Sequence, residues 1–443
     1  MKSGSRAFGL IFLTLLIDVA AMGMTLPVLP GIIGGFVGGD LARAALFVGI
    51  AAALTAGLEF VCAPVIGALS DRFGRKPLLL LGMLGPGLTY LLLAVAPSVA
   101  WLLIGYVVAG IVGAVFTTTN AYVADVTPQE ERAGRYGILG AAFGLGFIVG
   151  PLAGGLLGGI GLRVPLYVAG GFTLLNMILC VFLLPESLPQ ERRRPFDWSR
   201  ANPLGTVGLL RRNPTILALA ASLFLSNLAL NGLYSTWIFS TTLRFGWGVI
   251  QTGVTFAVMG FVAALAQGLL VGPAVGRLGE RRSIMIGLGA GALAFLAYAL
   301  APQGWMIYLI IVVASLAALD APATQSLVSR SVGADEQGAV QGALASVLSL
   351  TRIAGPLIAT NTFAFFVAPT APIYFPGAPF ASGAVLLAGA LFLAWRFVCP
   401  ASLATATPAQ PAVLVRDESA PVQVAGVAQL ATNAPAPQHR QAA

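Results

Sequence analysis

Four ionisable residues, Asp18, Glu59, Asp320 and Arg352, fall inside long apolar stretches of the sequence. An ion is costly to hold in such surroundings, so a carboxyl group there readily takes up a proton and an arginine needs a partner. Counted from the same-sided ends of their stretches, Asp18 and Glu59 both lie 11 residues in. At ~1.5 Å of rise per residue that is about 16 Å, near the middle of a bilayer core ~30 Å thick. If the first two stretches are neighbours, the two carboxylates share one field. Low dielectric and a like charge then both favour the neutral carboxyl, as a residue that loads and releases protons requires. A static pair, one acid permanently protonated for packing, uses the same residues. Asp320 lies about eight residues from its end and Arg352 about fourteen, a depth difference of roughly 9 Å. A long arginine side chain spans that gap. Arg352 is equally suited to holding an anionic solute, biasing a nearby acid or ordering helices through a salt bridge.

The elements that must position these groups are helices. Of 443 residues, 58% are hydrophobic and 9% charged, and the mean hydropathy is +0.90, which excludes an ordinary soluble domain. Apolar stretches long enough to cross a bilayer recur near 7–33, 43–70, 77–96, 99–123, 135–158, 164–184, 214–239, 249–274, 282–301, 305–328, 338–367 and 379–399. The expected fold class is therefore an all-α membrane protein of twelve transmembrane helices. The first stretch is too long for a signal-peptide core, runs through Asp18 and lacks an A-x-A site, so it reads as a retained span. With alternating spans, one face receives only Arg43, Arg163 and Arg244, while almost every other Lys and Arg falls on the opposite face. That asymmetry places both termini in the cytoplasm. The net charge of +8 then reports orientation, not a nucleic-acid partner. Cys62, Cys180 and Cys399 match no metal or disulfide spacing, and the sole histidine, His439, lies in the tail. No metal, cofactor or membrane-embedded histidine relay is expected.

The polar break at 185–213 divides the chain into a six-helix bundle over 1–184 and a second over 214–400, with 185–213 as cytoplasmic linker. The Ala/Pro/Gln/Val-rich residues 401–443 read as a disordered cytoplasmic tail. The halves are a repeat: "RFGRKPLLLLG" at 72–82 matches "RLGERRSIMIG" at 277–287, "EERAGRYGILG" at 130–140 matches "DEQGAVQGALA" at 335–345, and Gly150-Pro151 matches Gly355-Pro356, all at an offset of 205 residues. Six spans per half give both halves the same orientation, and such a parallel repeat places a solute site between them near mid-membrane.

Between the second and third spans, Gly67, Asp71, Arg72, Gly74, Arg75 and Lys76 crowd charge and glycine into one turn. Asp71 is placed to accept from helix N–H groups near the sixth span or to pair with an arginine. Arg75 and Lys76 are placed to reach Asp125, Glu130 or Glu131, contacts strong enough to latch a gate. The equivalent of Asp71 in the second half is Gly276, so a weaker latch is expected there. A simple positive anchor at the membrane surface needs the same residues. In the fifth span, Gly146, Gly150, Pro151, Gly154 and Gly155 allow close helix packing, a bend, or both.

The pattern G-x-x-x-D-R-x-G-R-K formed by Gly67 to Lys76 resembles the signature loop of the major facilitator superfamily. "GFIVGPLAGG" at 146–155 resembles the fifth-helix motif of its drug–proton antiporters. "MTLPVLPGII", "GPAVGRLGERRSIMIG" and "DEQGAVQGALASVLSLTRIAGPL" are similar to the tetracycline-resistance exporter branch. The likeness runs from about residue 10 to 400 and implies a bacterial inner-membrane carrier of small molecules. Departures are visible: Thr89 stands where those exporters have Asp, Tyr106 where they have Arg, Gly291 where an acid is frequent and Glu59 where they have Gln. Tetracycline carried with a divalent metal would want the missing carboxylates.

The fold implied by the resemblance lines its cavity with helices 1, 4, 7 and 10. The candidates there are Asn120, Asn227, Asn231, Tyr234, Trp237 and Gln325, with Gln267 and Gln341 from neighbours and Arg352. A few polar groups in an apolar, aromatic wall suit an amphipathic organic solute, although each alone also serves as interhelical glue. The leading expectation is proton-coupled export by antiport, with Asp18, Glu59 and Asp320 as proton-coupling candidates, in a single chain partnered by solute, protons and lipid. The alternative is a proton-coupled uptake symporter for a sugar or organic acid. A receptor built on a transporter body would carry a sizeable soluble domain, and no nucleophile–base, metal or phosphate-loop pattern supports an enzyme.

Overall fold

Long apolar runs have one economical way to cross lipid, because a helix satisfies its own backbone hydrogen bonds. In the computed structural model, which describes residues 2–113, 115–193, 208, 210, 213–333 and 336–398, all regular structure among the described residues is helical. Most of the expected linker, and all of the expected disordered tail, with Cys399 and His439, lie outside the described residues.

Among the described residues eleven helical segments are long and apolar enough to cross a membrane, and two shorter helices in succession, Val99–Val112 and Val115–Val126, make a twelfth span. They are α1 (Lys2–Thr25, continued by Leu29–Phe36), α2 (Leu41–Phe73), α3 (Arg75–Val95), α4 (Val99–Val112 with Val115–Val126), α5 (Arg132–Ile160) and α6 (Val164–Leu183). The second half holds α7 (Pro214–Phe245), α8 (Val249–Leu278), α9 (Glu280–Leu300), α10 (Gly304–Arg330), α11 (Gln337–Val367) and α12 (Ala378–Phe397). The expected spans and the all-α class are borne out, with α1 and α4 each in two pieces. Two further irregularities escaped the sequence reading: a π-helical turn at Ala266–Val271 within α8 and a 3₁₀ turn at Ser315–Leu319 within α10, packed against each other.

Short polar side chains set the helix starts. Asp40 Oδ1 accepts from Arg43 N at 3.0 Å, Ser98 Oγ from Trp101 N at 3.4 Å and Asn213 Oδ1 from Thr215 N at 2.9 Å, each satisfying an otherwise orphan donor. The turns α2–α3 and α8–α9 each pivot on one glycine at positive φ, Gly74 at 106° and Gly279 at 78°. They are related by the 205-residue offset, so the repeat holds at the level of backbone conformation.

The face carrying Arg72, Arg75 and Lys76 is the basic face below, and its opposite the far face. One core cluster holds residues from Leu210 to Val398 only, and another residues from Phe8 to Leu184 only. A third, toward the far face, joins Val28, Ile32 and Val48 of the first half to Ile238, Phe239 and Phe363 of the second. Two seams connect the halves, α2 with α11 and α5 with α8. Along the first, Gly49 abuts Thr360 and Gly57 faces Ile353; along the second, Gly155 abuts Gly253 and Gly260 lies on Phe147 and Ile148. Nearer the basic face the seam helices part: Gly67 of α2, Gly140 of α5, Gly276 of α8 and Gly338 of α11 have open space where a Cβ would stand. The halves thus meet over the far half and diverge toward the basic face, about 20 Å in along either seam.

Candidate functional site

The signature loop is built around Arg75, the first residue of α3. Its guanidinium pairs with Asp71 at 2.6 Å and with Asp125 of α4 at 3.2 Å, and donates to Ser70 Oγ at 2.9 Å. Asp71 therefore takes the arginine-pairing option, not the helix-N-terminus one. The N–H groups that open α3 are instead satisfied by Glu186, just beyond α6, whose carboxylate accepts from Arg75 N at 2.8 Å and Lys76 N at 3.2 Å. Ser187 N and Leu188 N donate to the same group at 3.0 and 3.1 Å. A Cβ on Gly74 would press on that carboxylate, and the φ of 106° is what requires glycine there. Lys76 Nζ reaches the carbonyl of Val181 at 2.8 Å, and Arg72 lies over Phe73. Glu130 and Glu131 are not Arg75 partners; Glu131 pairs with Arg135 at 3.4 Å. Sequence reasoning missed Glu186; its signal was an acid two residues past a span on the same face as the loop.

The repeat reproduces this ion pair with its charges reversed. Residues 280 and 330 stand 205 beyond 75 and 125, and there Glu280 pairs with Arg330 at 3.1 Å, with Ser326 Oγ also donating to Glu280 at 3.3 Å. Two of the three basic residues expected on the far face have a similar capping task. Arg163 donates to the carbonyls of Ala94 (3.2 Å) and Ala96 (2.9 Å) closing α3. Arg244 donates to Tyr298 O and Ala301 O, both at 2.6 Å, closing α9. Cations on exposed helix C-terminal carbonyls are favourably placed.

The glycine motif of α5 serves two neighbours. Gly146, Gly150 and Gly154 lie flat on α1, against Val19, Ala20 and Met24, while Gly155 turns to Val249 and Gly253 of α8. Pro151 presents its carbonyl to Gly253. One four-residue repeat thus fixes α5 to its own half, and the next residue fixes the seam.

The buried charges separate. Asp18, near Tyr90 of α3 and Cys180 of α6, has a buried Oδ1 without a hydrogen-bond partner. Glu59 does not share its field. It forms a fork-to-fork pair with Arg352 across the seam, at 2.9 Å (Nη2–Oε2) and 3.2 Å (Nη1–Oε1). The α1 helix packs on α5 and α6, whereas α2 packs on α11 and α4, which is why the first two spans do not bring their acids together. The Asp320–Arg352 pairing is likewise not formed: Asp320 is buried, accepts from Thr324 Oγ1 at 3.1 Å, lies within reach of Ser226 and packs under Gly287.

Among the cavity candidates, Trp237 is corrected. It is wholly buried, packed on Phe256, Tyr298 and Phe380 inside the second half, because α7 turns that face to α8, α9 and α12. Tyr234 meets Phe147 edge-on across the halves, ring centroids 5.7 Å apart. Asn227 bonds its own helix at Leu223 O, and Asn231 reaches Thr351 of α11 at 3.2 Å. Asn120 is partly exposed and accepts from Tyr136 through its carbonyl; Gln267, Gln325 and Gln341 are exposed. The positions lacking the exporters' charges are packing sites here: Thr89 is buried on the Gly105 carbonyl, Tyr106 accepts from Thr55, and Gly291 faces Ala317 and Leu387.

The family model of the Major Facilitator Superfamily matches residues 11–356 and 245–435. The chain is 40% identical over 364 residues to the class C tetracycline resistance protein of Escherichia coli, covering 82% of this chain and 91% of that protein. It is 30% identical over 347 residues to the class B protein of Escherichia coli, covering 77% and 85%. Among solved structures, the human organic anion transporter MFSD10 (TETRAN) is 26% identical with a TM-score of 0.65, over 88% of this chain and 99% of that one. A bacterial homolog of the human lysosomal transporter Spinster, solved inward-facing and unoccupied, shares the fold at a TM-score of 0.75 and 18% identity, over 92% and 99%. With twelve spans in two repeated halves, a signature loop organised on Arg75 and these relatives, the chain belongs to the major facilitator superfamily, in its tetracycline-resistance-like branch.

Proposed function

We propose that this transporter is a proton-coupled antiporter that exports a small amphipathic organic compound by alternating access across a bacterial inner membrane. The observation carrying the reading is the one-sided separation of the halves, joined over the far half and parted toward the basic face. With both termini and the basic face in the cytoplasm, as the positive charge favours, this state receives its solute from the cytoplasm. The tetracycline resistance proteins of matching length support export. Asp18 is the leading proton carrier: a buried carboxylate oxygen without a partner costs several kcal/mol, and taking up a proton relieves that cost. Asp320 has polar neighbours that settle it, and Glu59 is committed to Arg352. Because Thr89, Tyr106 and Gly291 replace the charges of the tetracycline exporters, the cargo is a compound carried without a bound metal ion.

The test is a transport screen in inside-out proteoliposomes acidified in the lumen, with tetracycline and a panel of amphipathic compounds. At least one compound is expected to accumulate as protons leave. Asp18→Asn is expected to abolish the gradient-driven component while downhill exchange persists. Solute movement in the same direction as protons would establish symport and overturn the export reading.

A further inference from the structure

Of the two seams between the halves, only one is charged. On α2 and α11, Glu59 and Arg352 form the single ion pair joining the halves among the described residues. Their repeat mates, 205 residues away on α8 and α5, are Ala264 and Phe147, and that seam closes through Phe147, Ile148 and Gly260. The pair also stands at a special level. On its far side the seam is tight, through Gly57 on Ile353 and Gly49 on Thr360. On its basic side Gly67 faces open space and Val61 is 62% exposed. The fork between the halves therefore begins at the ion pair. The two partners differ in freedom: the Glu59 side chain is 21% exposed and that of Arg352 53%, so the arginine can swing into the open space while the glutamate stays on α2.

We propose that the Glu59–Arg352 pair is a latch that holds the halves together at the fork, and that its opening is a step of the transport cycle. The proposal deepens the alternating-access reading and rests on it. A bidentate guanidinium–carboxylate pair is both strong and geometrically exacting. To open the far face, α2 must leave α11 along Gly49–Thr360 and Gly57–Ile353, and the pair is the polar contact that resists. The uncharged α5–α8 seam, made of glycine and aromatic surface, moves without breaking an ion pair. One seam thus carries a latch, and the other parts with no ion pair to break.

The experiment uses the full chain in nanodiscs without solute, with native cysteines replaced and spin labels at position 43 in the first turn of α2 and position 370 just beyond the far end of α11. Pulsed electron–electron distances report the fraction of molecules with separated far ends. Glu59→Gln and Arg352→Gln are each expected to raise the ratio of separated to joined molecules by about tenfold. The double variant should give a similar rise, because a latch lost once cannot be lost again. A purely structural pair would lower the unfolding temperature and leave the distances unchanged. Should either single variant fail to fold through its unpaired charge, the double variant decides, since it leaves none. Parent-like distances in the double variant overturn the latch. If Gly253→Ala still shifts those distances, only the latch has failed; if neither variant shifts them, alternating access fails with it.

Discussion

The seam that carries no charge gives the sharpest test of the two-state reading. At Gly253 on α8 a Cβ would stand 2.8 Å from Gly155 Cα and closer still to the Pro151 carbonyl oxygen, where ordinary contacts are 3.4–4 Å. Both obstacles are backbone, so no rotamer change relieves them. Inserting a methyl group into such a contact costs about 1–3 kcal/mol. In the state with the far face open, α8 and α5 separate there and the cost disappears. The helix-propensity gain of Gly→Ala, roughly 1 kcal/mol, applies to both states and cancels. Gly253→Ala should therefore shift the balance toward far-face opening by about 5- to 150-fold, at ~1.4 kcal/mol per tenfold. Spin-label distances between positions 43 and 370, and labelling of Val48→Cys by an impermeant maleimide, read the shift from two directions. Unchanged distances and unchanged labelling would refute the argument, because the seam would then have absorbed the methyl without separating.

Other expected outcomes concern the groups that cap and tie helices. Glu186→Ala should destabilise the protein by about 1–2 kcal/mol in detergent thermal unfolding, since it strips the cap from the start of α3; Glu186→Gln, which keeps an acceptor, should cost less. Arg244→Ala should cost about 2 kcal/mol by removing two charged hydrogen bonds from the end of α9, and an unchanged unfolding temperature would deny its capping role. Glu280→Gln should lower the unfolding temperature more than Asp125→Asn does, although each breaks one ion pair at the same place in the repeat; the reverse order would mean that the helix dipoles do not decide which pair is the firmer.

The architecture was legible because it is written in two coarse signals, apolar length and an exact 205-residue offset. Hydropathy is blind to hydrogen-bond pattern, so the π turn of α8 and the 3₁₀ turn of α10 left no trace. The Glu59–Arg352 pair was illegible for another reason. Its partners lie 293 residues apart, and depth along a span does not say which helices share a seam. Depth matched Arg352 loosely to Asp320, which its own half buries against Thr324. Trp237 shows the same limit in reverse. An aromatic residue in a cavity-lining helix looks available for ligand, but helix rotation decides which face sees the cavity, and here it sends the indole into the core.

The reversed ion pairs suggest why only one half carries the signature loop. In the second half, Glu280 sits in the first turn of α9 and Arg330 in the last turn of α10. Each charge faces the helix end that favours it, so pair and dipoles stabilise the same arrangement. In the first half, Arg75 opens α3 and Asp125 lies in the last turn of α4, each at the end that disfavours it. Glu186, with its four backbone donors, offsets the misplaced arginine. The first-half pair is therefore held by partners that could be exchanged, with Asp71, Asp125 and Ser70 all on one guanidinium. A group whose surroundings leave it several near-equal partners can change partner cheaply, whereas one fixed by its own helix cannot. In the proposed alternating-access cycle, that physics would make the first half the part that switches the basic face, against a second half that has glycine at the position of Asp71.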